Sequence, residues 1–470
     1  MDIFNGRNGI FNGRRPLDLP GLSVRRGGGV SPFVPSDVGL PVYTWDIQDV
    51  ASLYVERTGG GTTPATVGDP VGTIREQWGS TFHAVAPTDA ARGTLRQTAG
   101  GKYYLETDGT ADCYQIENFP LSNRFSIHVG FKQVANTKPL FIEHSANFNS
   151  NDGFLFYGTS PGSLGVRRGT VHSVPGQANW GGSDLAIADC AYLTGVTPYY
   201  TRNGRTMLTG TITGTQAAVS TVTTTLNLFS RNKASLFSEL GCRVLSIVDG
   251  DISAADIRKM RAWTMGKTAK YLYVAEGDSI TENPGLPTSY ARLKWAEFQA
   301  ANPQDAAWSM QATGSAGLAT LRSREAAISS LCNGGGADIN IFSVLIGAGN
   351  SDLIGYTGVL GDGYDGWLAD LAAICDNRRA DGYKVIVGTV LPKQYGTGEW
   401  TAARAYVNPI LRTWPGVHCD AIADFAAHPI MGPEGAEDDA TLYGDHVHPT
   451  ALGQGYLLDV FSPVFDAVVA

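Results

Sequence analysis

Short apolar runs bounded by turn residues fill the chain from about residue 41 to residue 268, which is the pattern of consecutive β-strands. The clearest of these runs are 125–131, 153–157, 221–229 and 242–248. The dipeptides Asp108-Gly109, Asn203-Gly204 and Asp249-Gly250 are turn signals that separate such runs. Ser253 and Asp256 have the spacing of a capping box and predict one helix after the last strand. The region 41–268 is therefore predicted to be a β-sandwich closed by a helix.

From residue 269 onward, strand-like runs alternate with helical patterns. The strand-like runs are 271–275, 307–311, 339–346, 384–390 and 420–424. The helical patterns lie near 288–301, 318–332, 364–381, 400–412 and 451–461. This alternation predicts βαβ units, a parallel sheet and a three-layer α/β domain over 269–470. Such sheets bind ligands at the carboxyl ends of their strands, and the segments 277–281 and 347–350 both follow a strand.

Residues 1–40 differ from the rest of the chain. The peptide Ile3-Phe-Asn-Gly-Arg7 recurs as Ile10-Phe-Asn-Gly-Arg14, and a glycine run follows. Such a segment cannot bury a core of its own. The repeated Ile-Phe pair favours a docking peptide over a solvating tail, because exposed phenylalanines give a tail no advantage. The predicted organisation is a docking segment (1–40), a β-sandwich (41–268) and an α/β domain (269–470).

Composition and charge narrow the class of protein. With 43% apolar and 17% charged residues the chain is globular, and its net charge of −9 argues against general binding to nucleic acid. No segment is apolar for long enough to span a bilayer, so no membrane insertion is expected. The N-terminus lacks the apolar core of a secretory signal, which predicts synthesis in a cytoplasm. The six scattered cysteines predict buried thiols rather than a disulfide frame or a zinc site.

The candidate chemistry lies in two short motifs of the α/β region. One is Gly277-Asp-Ser-Ile-Thr281, directly after a strand, and the other is Asp445-His-Val-His448. A serine hydroxyl is a weak nucleophile, and it needs an imidazole to take its proton and a carboxylate to orient that imidazole. We therefore predict Ser279 as nucleophile, His448 as base and Asp445 as the orienting carboxylate of a serine esterase.

Two further motifs complete a family pattern. Ala312-Thr-Gly-Ser-Ala-Gly317 and Gly347-Ala-Gly-Asn350 stand between the first two motifs, and with all four in this order residues 269–470 resemble the SGNH (GDSL-type) hydrolases. The resemblance implies an oxyanion hole made by the N–H groups of Ser279 and Gly317 and the Asn350 side chain, with Gly314 shaping a turn. It also implies no metal and no organic cofactor. One departure is Ser351, which stands where the family usually has an aspartate directly after the asparagine.

The sandwich region has a weaker likeness. With Trp45-Asp46 near its start and the helical stretch 252–263 at its end, it resembles the laminin-G or concanavalin-like jelly rolls. This resemblance implies glycan binding or packing in an assembly. Six aromatic residues could stack on sugars, although core packing is the more frequent role of an aromatic on a strand: Trp78, Tyr103, Tyr104, Trp180, Tyr199 and Tyr200.

Taken together, the repeated N-terminal peptide and the domain order resemble bacteriophage tail or capsid appendage proteins. This implies an O-acetylated surface polysaccharide as substrate, a virion structural protein bound through the N-terminal segment, and a homo-oligomer that acts at the bacterial surface. Two alternatives stay open. One is a non-catalytic, glycan-binding adhesin or decoration protein with a hydrolase-like shell. The other is a lipid-directed esterase, which the polar, glycine-rich loop 391–400 disfavours.

One alternative concerns metal. His446 beside His448 and Asp445 could serve as ligands, but no third cluster in the sequence supports a metal site. We therefore expect the His446 side chain to point away from Ser279.

Overall fold

The computed structural model describes residues 33–470, except 59, 123, 134–139, 145–153, 161–162, 169–170, 174–184, 194–198, 208–221, 232, 236, 284–287, 334, 347–352 and 395–396. The strands are β1 Val42–Asp46, β2 Leu53–Tyr54, β3 Thr73–Ile74, β4 Ala84–Val85, β5 Thr94–Gln97, β6 Tyr103–Glu106, β7 Tyr114–Leu121, β8 Phe125–Gln133, β9 Leu140–His144, β10 Phe154–Ser160, β11 Ser163–Arg168, β12 Val171–Ser173, β13 Leu185–Tyr192, β14 Tyr199–Arg202, β15 Arg205–Met207, β16 Val222–Leu228, β17 Leu240–Asp249, β18 Tyr271–Gly277, β19 Ala306–Met310, β20 Ile339–Leu345, β21 Tyr383–Gly388 and β22 Ala421–Ala423. The helices are α1 Ala254–Thr268, α2 Ser279–Glu282, α3 Tyr290–Ala301, α4 Leu318–Ser323, α5 Glu325–Ser329, α6 Gly363–Asp381, α7 Thr397–Leu411 and α8 Ala451–Val469.

The first half of the described chain is a β-sandwich, as predicted. One sheet runs in the order β12-β11-β10-β9-β16-β7-β4-β3-β2, and the facing sheet contains β13, β8, β17, β6 and β5 side by side. Apolar rings fill the space between them, and the Phe141 ring centroid lies 4.5 Å from that of Phe131 and 5.2 Å from that of Phe156. The relation of this sandwich to the jelly rolls stays a prediction.

The second half is the predicted three-layer α/β arrangement. Its strands lie in the order β22-β21-β20-β18-β19, and all four pairings between them are parallel. Side chains of β18 alternate between the two faces: Leu272 and Val274 pack in the core covered by α4 to α7, whereas Tyr273 and Ala275 pack in the core covered by α3 and α8. The strand order reverses at β18, and a ligand site is expected at that point of the carboxyl edge.

The two halves share one sheet. Strand β19 pairs with β13 of the sandwich in parallel at Leu185 and Ala307. Buried polar contacts cross the same junction: the Arg243 guanidinium, fully buried, donates to the Gln304 carbonyl at 2.8 Å, and the Gly100 N–H donates to Asp305 at 2.9 Å. Hydrogen bonds therefore cross the predicted boundary at residue 268. The division into domains stays a prediction.

The helix boundaries predicted from the local sequence agree with the structure at the start of α1 and differ from it near residue 324. Ser253 caps α1 by accepting the N–H of Asp256 at 3.1 Å, as the capping box predicts. The helical pattern near 318–332 forms two helices instead of one, because the chain breaks at Arg324 into α4 and α5. Arg324 uses its guanidinium to bind a neighbouring loop, and this tertiary contact prevails over the helical pattern.

Three findings concern the chemistry available to the described residues. All six cysteines are buried and unpaired. Among the residues that the structure describes, no three His, Cys, Asp or Glu side chains are grouped so that they could hold a metal ion. No helix in the same residues has the length and apolar character needed to cross a membrane.

Candidate active site

Ser279 lies on a sharp turn between β18 and α2. Gly277 has φ +144°, and a Cβ at this position would lie 2.2 Å from the Leu345 carbonyl oxygen, so no other residue fits here. Asp278 caps the helix, since its Oδ1 accepts the Ile280 N–H at 3.0 Å. The turn places Ser279 at the first position of α2, at the carboxyl edge of the sheet, with 6% of its surface exposed.

The structure brings the three predicted catalytic residues together. Ser279 Oγ lies 2.6 Å from His448 Nε2, and His448 Nδ1 lies 2.7 Å from Asp445 Oδ2. With the proton on Nδ1 donated to the carboxylate, Nε2 has a lone pair that can accept the serine hydroxyl proton. The second carboxylate oxygen accepts the backbone N–H groups of Val447 and His448 at 3.1 and 2.7 Å, which fixes the carboxylate relative to the ring.

The environment favours the ionised form of Asp445. Partial burial raises the pKa of this carboxyl. Hydrogen bonds from the His448 side chain and from the His448 and Val447 N–H groups lower the pKa by more than burial raises it, so the pKa lies below its usual value. The carboxylate therefore stays charged at neutral pH and can stabilise a protonated His448. The His448 and Asp445 side chains are 40% and 58% exposed, so this side of the site is open to solvent.

Helix α8 ties the histidine loop to the serine turn. Gln454, fully buried on α8, donates to the Ile280 carbonyl at 3.0 Å and accepts the Tyr290 N–H at 2.8 Å. The Thr450 side chain caps the start of the same helix by accepting the Gly453 N–H at 3.3 Å. Because α8 begins directly after the histidine loop, these bonds fix His448 against Ser279.

His446 has another environment. Its Nδ1 lies 3.1 Å from the Glu437 carbonyl oxygen and 3.4 Å from Asp438 Oδ1. The residue has φ +63°, which turns the backbone between Asp445 and His448. The imidazole is thus held by the segment 437–438, and His448 is the histidine that contacts the serine.

Two of the three predicted oxyanion donors lie in described segments. Ser279 is the first residue of α2 and Gly317 is the N-cap of α4, so neither N–H has a partner within its helix. Among the described residues, neither N–H has a protein acceptor. The Gly317 loop approaches the nucleophile, since a Cβ on Gly314 would lie 3.9 Å from the Ser279 Cβ. The third donor, Asn350, falls outside the described residues.

The turn that contains Gly314 differs from the expectation in one respect. Its left-handed residue is Ser315, with φ +59°, whereas Gly314 has no positive φ. The Gly314 N–H donates to Glu282 Oε2 at 2.5 Å, so this glycine attaches the loop to the end of α2.

Two buried ionisable residues near the site were missing from the sequence-based predictions. Lys393 follows β21 at the same sheet edge, is 4% exposed, and has its Nζ 3.6 Å from the centroid of the Trp400 ring. Burial lowers the pKa of this ammonium to about 8, although the charge of Asp278 raises it. Glu276 is fully buried one residue before Gly277. The sequence did contain a signal for Glu276, because an acidic residue at the end of an apolar strand is unusual. It contained no signal for Lys393, which is a single lysine in a loop.

Of the sandwich aromatics whose side chains the structure describes, Trp78 is 38% exposed and is the most accessible to a sugar. The Tyr104 ring is engaged at the junction, where the Arg243 guanidinium lies 4.5 Å from its centroid. Trp180 and the side chains of Tyr199 and Tyr200 fall outside the described residues.

The chain matches no protein-family model and no curated protein. Among solved structures, the crystal structure of TesA has a TM-score of 0.32 and 19% identity, over 42% of this chain and 99% of that chain. A lipolytic protein of the G-D-S-L family from Veillonella parvula has a TM-score of 0.33 and 14% identity, over 42% and 98%. A variant of an acetyl xylan esterase from Geobacillus stearothermophilus has a TM-score of 0.32 and 15% identity, over 43% and 95%. Likenesses at this level do not establish chemistry, which has to come from the contacts of the site itself.

Proposed function

We propose that this protein is a serine ester hydrolase that removes O-acetyl groups from a polysaccharide. The observation that carries the proposal is the hydrogen-bonded series Ser279–His448–Asp445, with contacts of 2.6 and 2.7 Å. A hydroxyl, an imidazole and a carboxylate in this order supply the nucleophile, the base and the group that orients the base.

In the proposed reaction, Ser279 Oγ attacks the ester carbonyl carbon while its proton passes to His448 Nε2. The carbonyl oxygen becomes an oxyanion, which the N–H groups of Ser279 and Gly317 can bind because no protein group among the described residues uses them. Each such donor typically contributes roughly 3–4 kcal/mol to the transition state. His448 then protonates the departing alkoxide, and it later takes a proton from the water that releases the acyl group from Ser279. Asn350 as a third donor is part of the proposal.

The solvent exposure of the site favours an acetyl ester carried on a bulky polymer as the substrate. His448 and Asp445 are 40% and 58% exposed, so a pendant acetyl group can reach Ser279 without the polymer entering a deep channel. The polar loop 391–400 disfavours a lipid substrate, which would need an apolar cover. The sandwich joined to the site supplies a surface on which a glycan could be held nearby.

The test is hydrolysis of p-nitrophenyl acetate and of longer acyl esters by the wild-type protein, Ser279→Ala and Ser323→Ala. Ser323 is an exposed serine of α4 whose hydroxyl donates to Thr320, and it serves as the matched control. We expect the wild type and S323A to hydrolyse short-chain esters and S279A to be inactive. The wild type and S323A should also release acetate from acetylated glycans, and S279A should not. Inert wild-type protein on both substrate classes would contradict the proposal and favour a glycan-binding adhesin.

The proposal extends to a virion. The repeated Ile-Phe-Asn-Gly-Arg peptide supports an N-terminal attachment to a virion structural protein, with the chain as a homo-oligomer at the bacterial surface. Phe33, Val38 and Leu40 pack against the sandwich and α1, so the deletion that tests this is 1–32. The truncated protein should keep its esterase activity and its oligomeric state but fail to enter particles. Incorporation at the wild-type level would contradict the attachment.

A further inference from the structure

Glu276 occupies an unusual place for a carboxylate. It is fully buried in β18 directly before Gly277, and neither of its carboxylate oxygens has a hydrogen-bond partner among the described residues. Alternation along the strand puts it on the same face as Leu272 and Val274, in the core covered by α4 to α7. Burying an ionisable group at such a place is costly, so a chain that keeps one there needs a compensating interaction.

Two guanidinium groups supply that interaction. Arg324 Nη1 lies 3.9 Å from Glu276 Oε1, and Arg378 of α6 is fully buried nearby. Burial raises the pKa of the Glu276 carboxyl to about 8, while Arg378 and Arg324 lower it and Glu325 raises it. The carboxyl is therefore poised to change its charge within the pH range in which an esterase is assayed.

Arg324 connects this carboxyl to the loop of the predicted oxyanion donor. Its Nη1 donates to the Gln311 carbonyl and its Nη2 to the Thr313 hydroxyl. Thr313 in turn donates its N–H to the Gly277 carbonyl at 3.2 Å. One guanidinium thus spans the space between the end of β18 and the beginning of the loop 311–317, which ends at Gly317.

We propose that Glu276 and Arg324 are positioning residues: the Glu276 carboxyl orients the Arg324 guanidinium, which fixes the loop 311–317 and with it the Gly317 N–H. The inference rests on the proposed esterase function. An oxyanion donor contributes fully only when it is held at hydrogen-bond distance from the place where charge develops. A loosened loop should therefore lower kcat much more than it changes KM, because the donor binds the transition state more strongly than the ground state.

The interaction between Glu276 and Arg324 also predicts how kcat depends on pH. An ionised Glu276 attracts Arg324 more strongly than the neutral acid does, so the loop should be held more firmly as the pH rises through the pKa of Glu276. The groups that face Glu276 come from the α4–α5 junction, α5, α6 and β21, and they are Arg324, Glu325, Arg378, Cys375 and Tyr383. Because the pKa of Lys393 is also lowered to about 8, a rise in kcat near that pH belongs to Glu276 only if it disappears in Glu276→Gln.

The experiment compares Glu276→Gln, Arg324→Met and Arg324→Lys in the full chain. Matched controls are Glu297→Gln on α3 and Arg258→Met on α1, both at exposed positions. Four quantities are measured: kcat and KM for p-nitrophenyl acetate between about pH 6.5 and about pH 9.5, the thermal unfolding midpoint, and hydrogen exchange of the peptide 311–317. We expect R324M to lose about tenfold in kcat at every pH, and E276Q to lose about tenfold above the pKa of Glu276, where the wild-type carboxyl is charged, with KM within about twofold in both. Above that pH both variants should also exchange faster at 311–317. R324K should recover part of the loss, and E276Q should lack the alkaline rise.

Wild-type kcat and an unchanged pH profile in E276Q would overturn the inference. A loss of activity no larger than the loss of folded protein would overturn it as well, because the role would then be stability alone. If E276Q does not fold, R324K carries the same test. Hydrogen exchange separates this inference from the proposed function: an inert wild type contradicts the esterase, whereas unchanged exchange at 311–317 in all three variants contradicts the pair whatever the activity.

Discussion

Ser279 Oγ lies 2.6 Å from His448 Nε2, although 169 residues separate the two in the chain. Gln454 stabilises this contact. It belongs to the helix that follows the histidine loop, and its side-chain amide donates to the carbonyl of Ile280, the residue after the serine. The nucleophile and its base are thus fixed by one buried amide as well as by their own hydrogen bond.

The two neighbouring histidines should respond very differently to the same substitution. We expect His448→Asn to lower kcat by about a thousandfold or more, because the serine loses its base. His446→Asn should keep nearly all activity, because this imidazole contacts the 437–438 segment and asparagine tolerates a positive φ. The measurement is hydrolysis of p-nitrophenyl acetate by both variants, with circular dichroism to check the fold. Equal losses in both would contradict the assignment of His448 as base.

Gly277 should be far more sensitive to a methyl group than Gly455 is. In Gly277→Ala the new Cβ would meet the Leu345 carbonyl oxygen at 2.2 Å with φ +144°. We expect a loss of roughly 3 kcal/mol or more of folding free energy, or no soluble protein. Gly455→Ala on α8 meets no atom within 4 Å and should gain roughly 0.5–1 kcal/mol from helix propensity. Thermal or denaturant unfolding checks both, and a G277A protein as stable as the wild type would contradict the close approach.

The acid stability of the protein should depend on Asp445. Its pKa is lower in the folded state than in the unfolded chain, so its contribution is present above the unfolded value of roughly 4 and is lost as the pH falls through the folded value. The unfolding midpoint of the wild type should therefore exceed that of Asp445→Asn by a constant amount near neutral pH. This difference should shrink below about pH 4. A difference that stays constant to the acid limit would show that the carboxylate charge adds no stability.

The shared sheet predicts that the junction is needed by both halves of the described chain. Arg243 is fully buried and donates to the Tyr103 carbonyl at 3.1 Å and the Gln304 carbonyl at 2.8 Å. In Arg243→Met both carbonyls lose the guanidinium, although Tyr103 still accepts from the Gln48 side chain, and we expect a loss of roughly 2–4 kcal/mol. Arg258→Met, at an exposed site on α1, should change stability by less than about 0.5 kcal/mol. Calorimetry checks both, and an unchanged midpoint for R243M would contradict the role of the junction.

Local sequence determined much of this protein. The period of apolar residues fixed the order of strands and helices on both sides of residue 268, because burial of alternate or every third to fourth side chain is a property of a single segment. The cap of α1 at Ser253 and the hairpin at Asn203-Gly204, where both residues have positive φ, follow from the conformations these residues favour. The residue types of Ser279, Asp445 and His448, in their motifs, likewise indicated the chemistry.

Only the tertiary structure shows how the sandwich, the α/β half and the loops around Ser279 contact one another. The pairing of β19 with β13 and the burial of Arg243 at the junction depend on segments far apart in the chain. So does the placement of the Glu276 carboxyl 3.9 Å from a guanidinium that holds another loop. The break at Arg324 depends on contacts outside its own helix, with residues 11 and 13 positions away. The physical reason is that hydrogen bonds and buried charges act over a few ångströms in space, whereas sequence patterns report only which face of its own segment a side chain occupies.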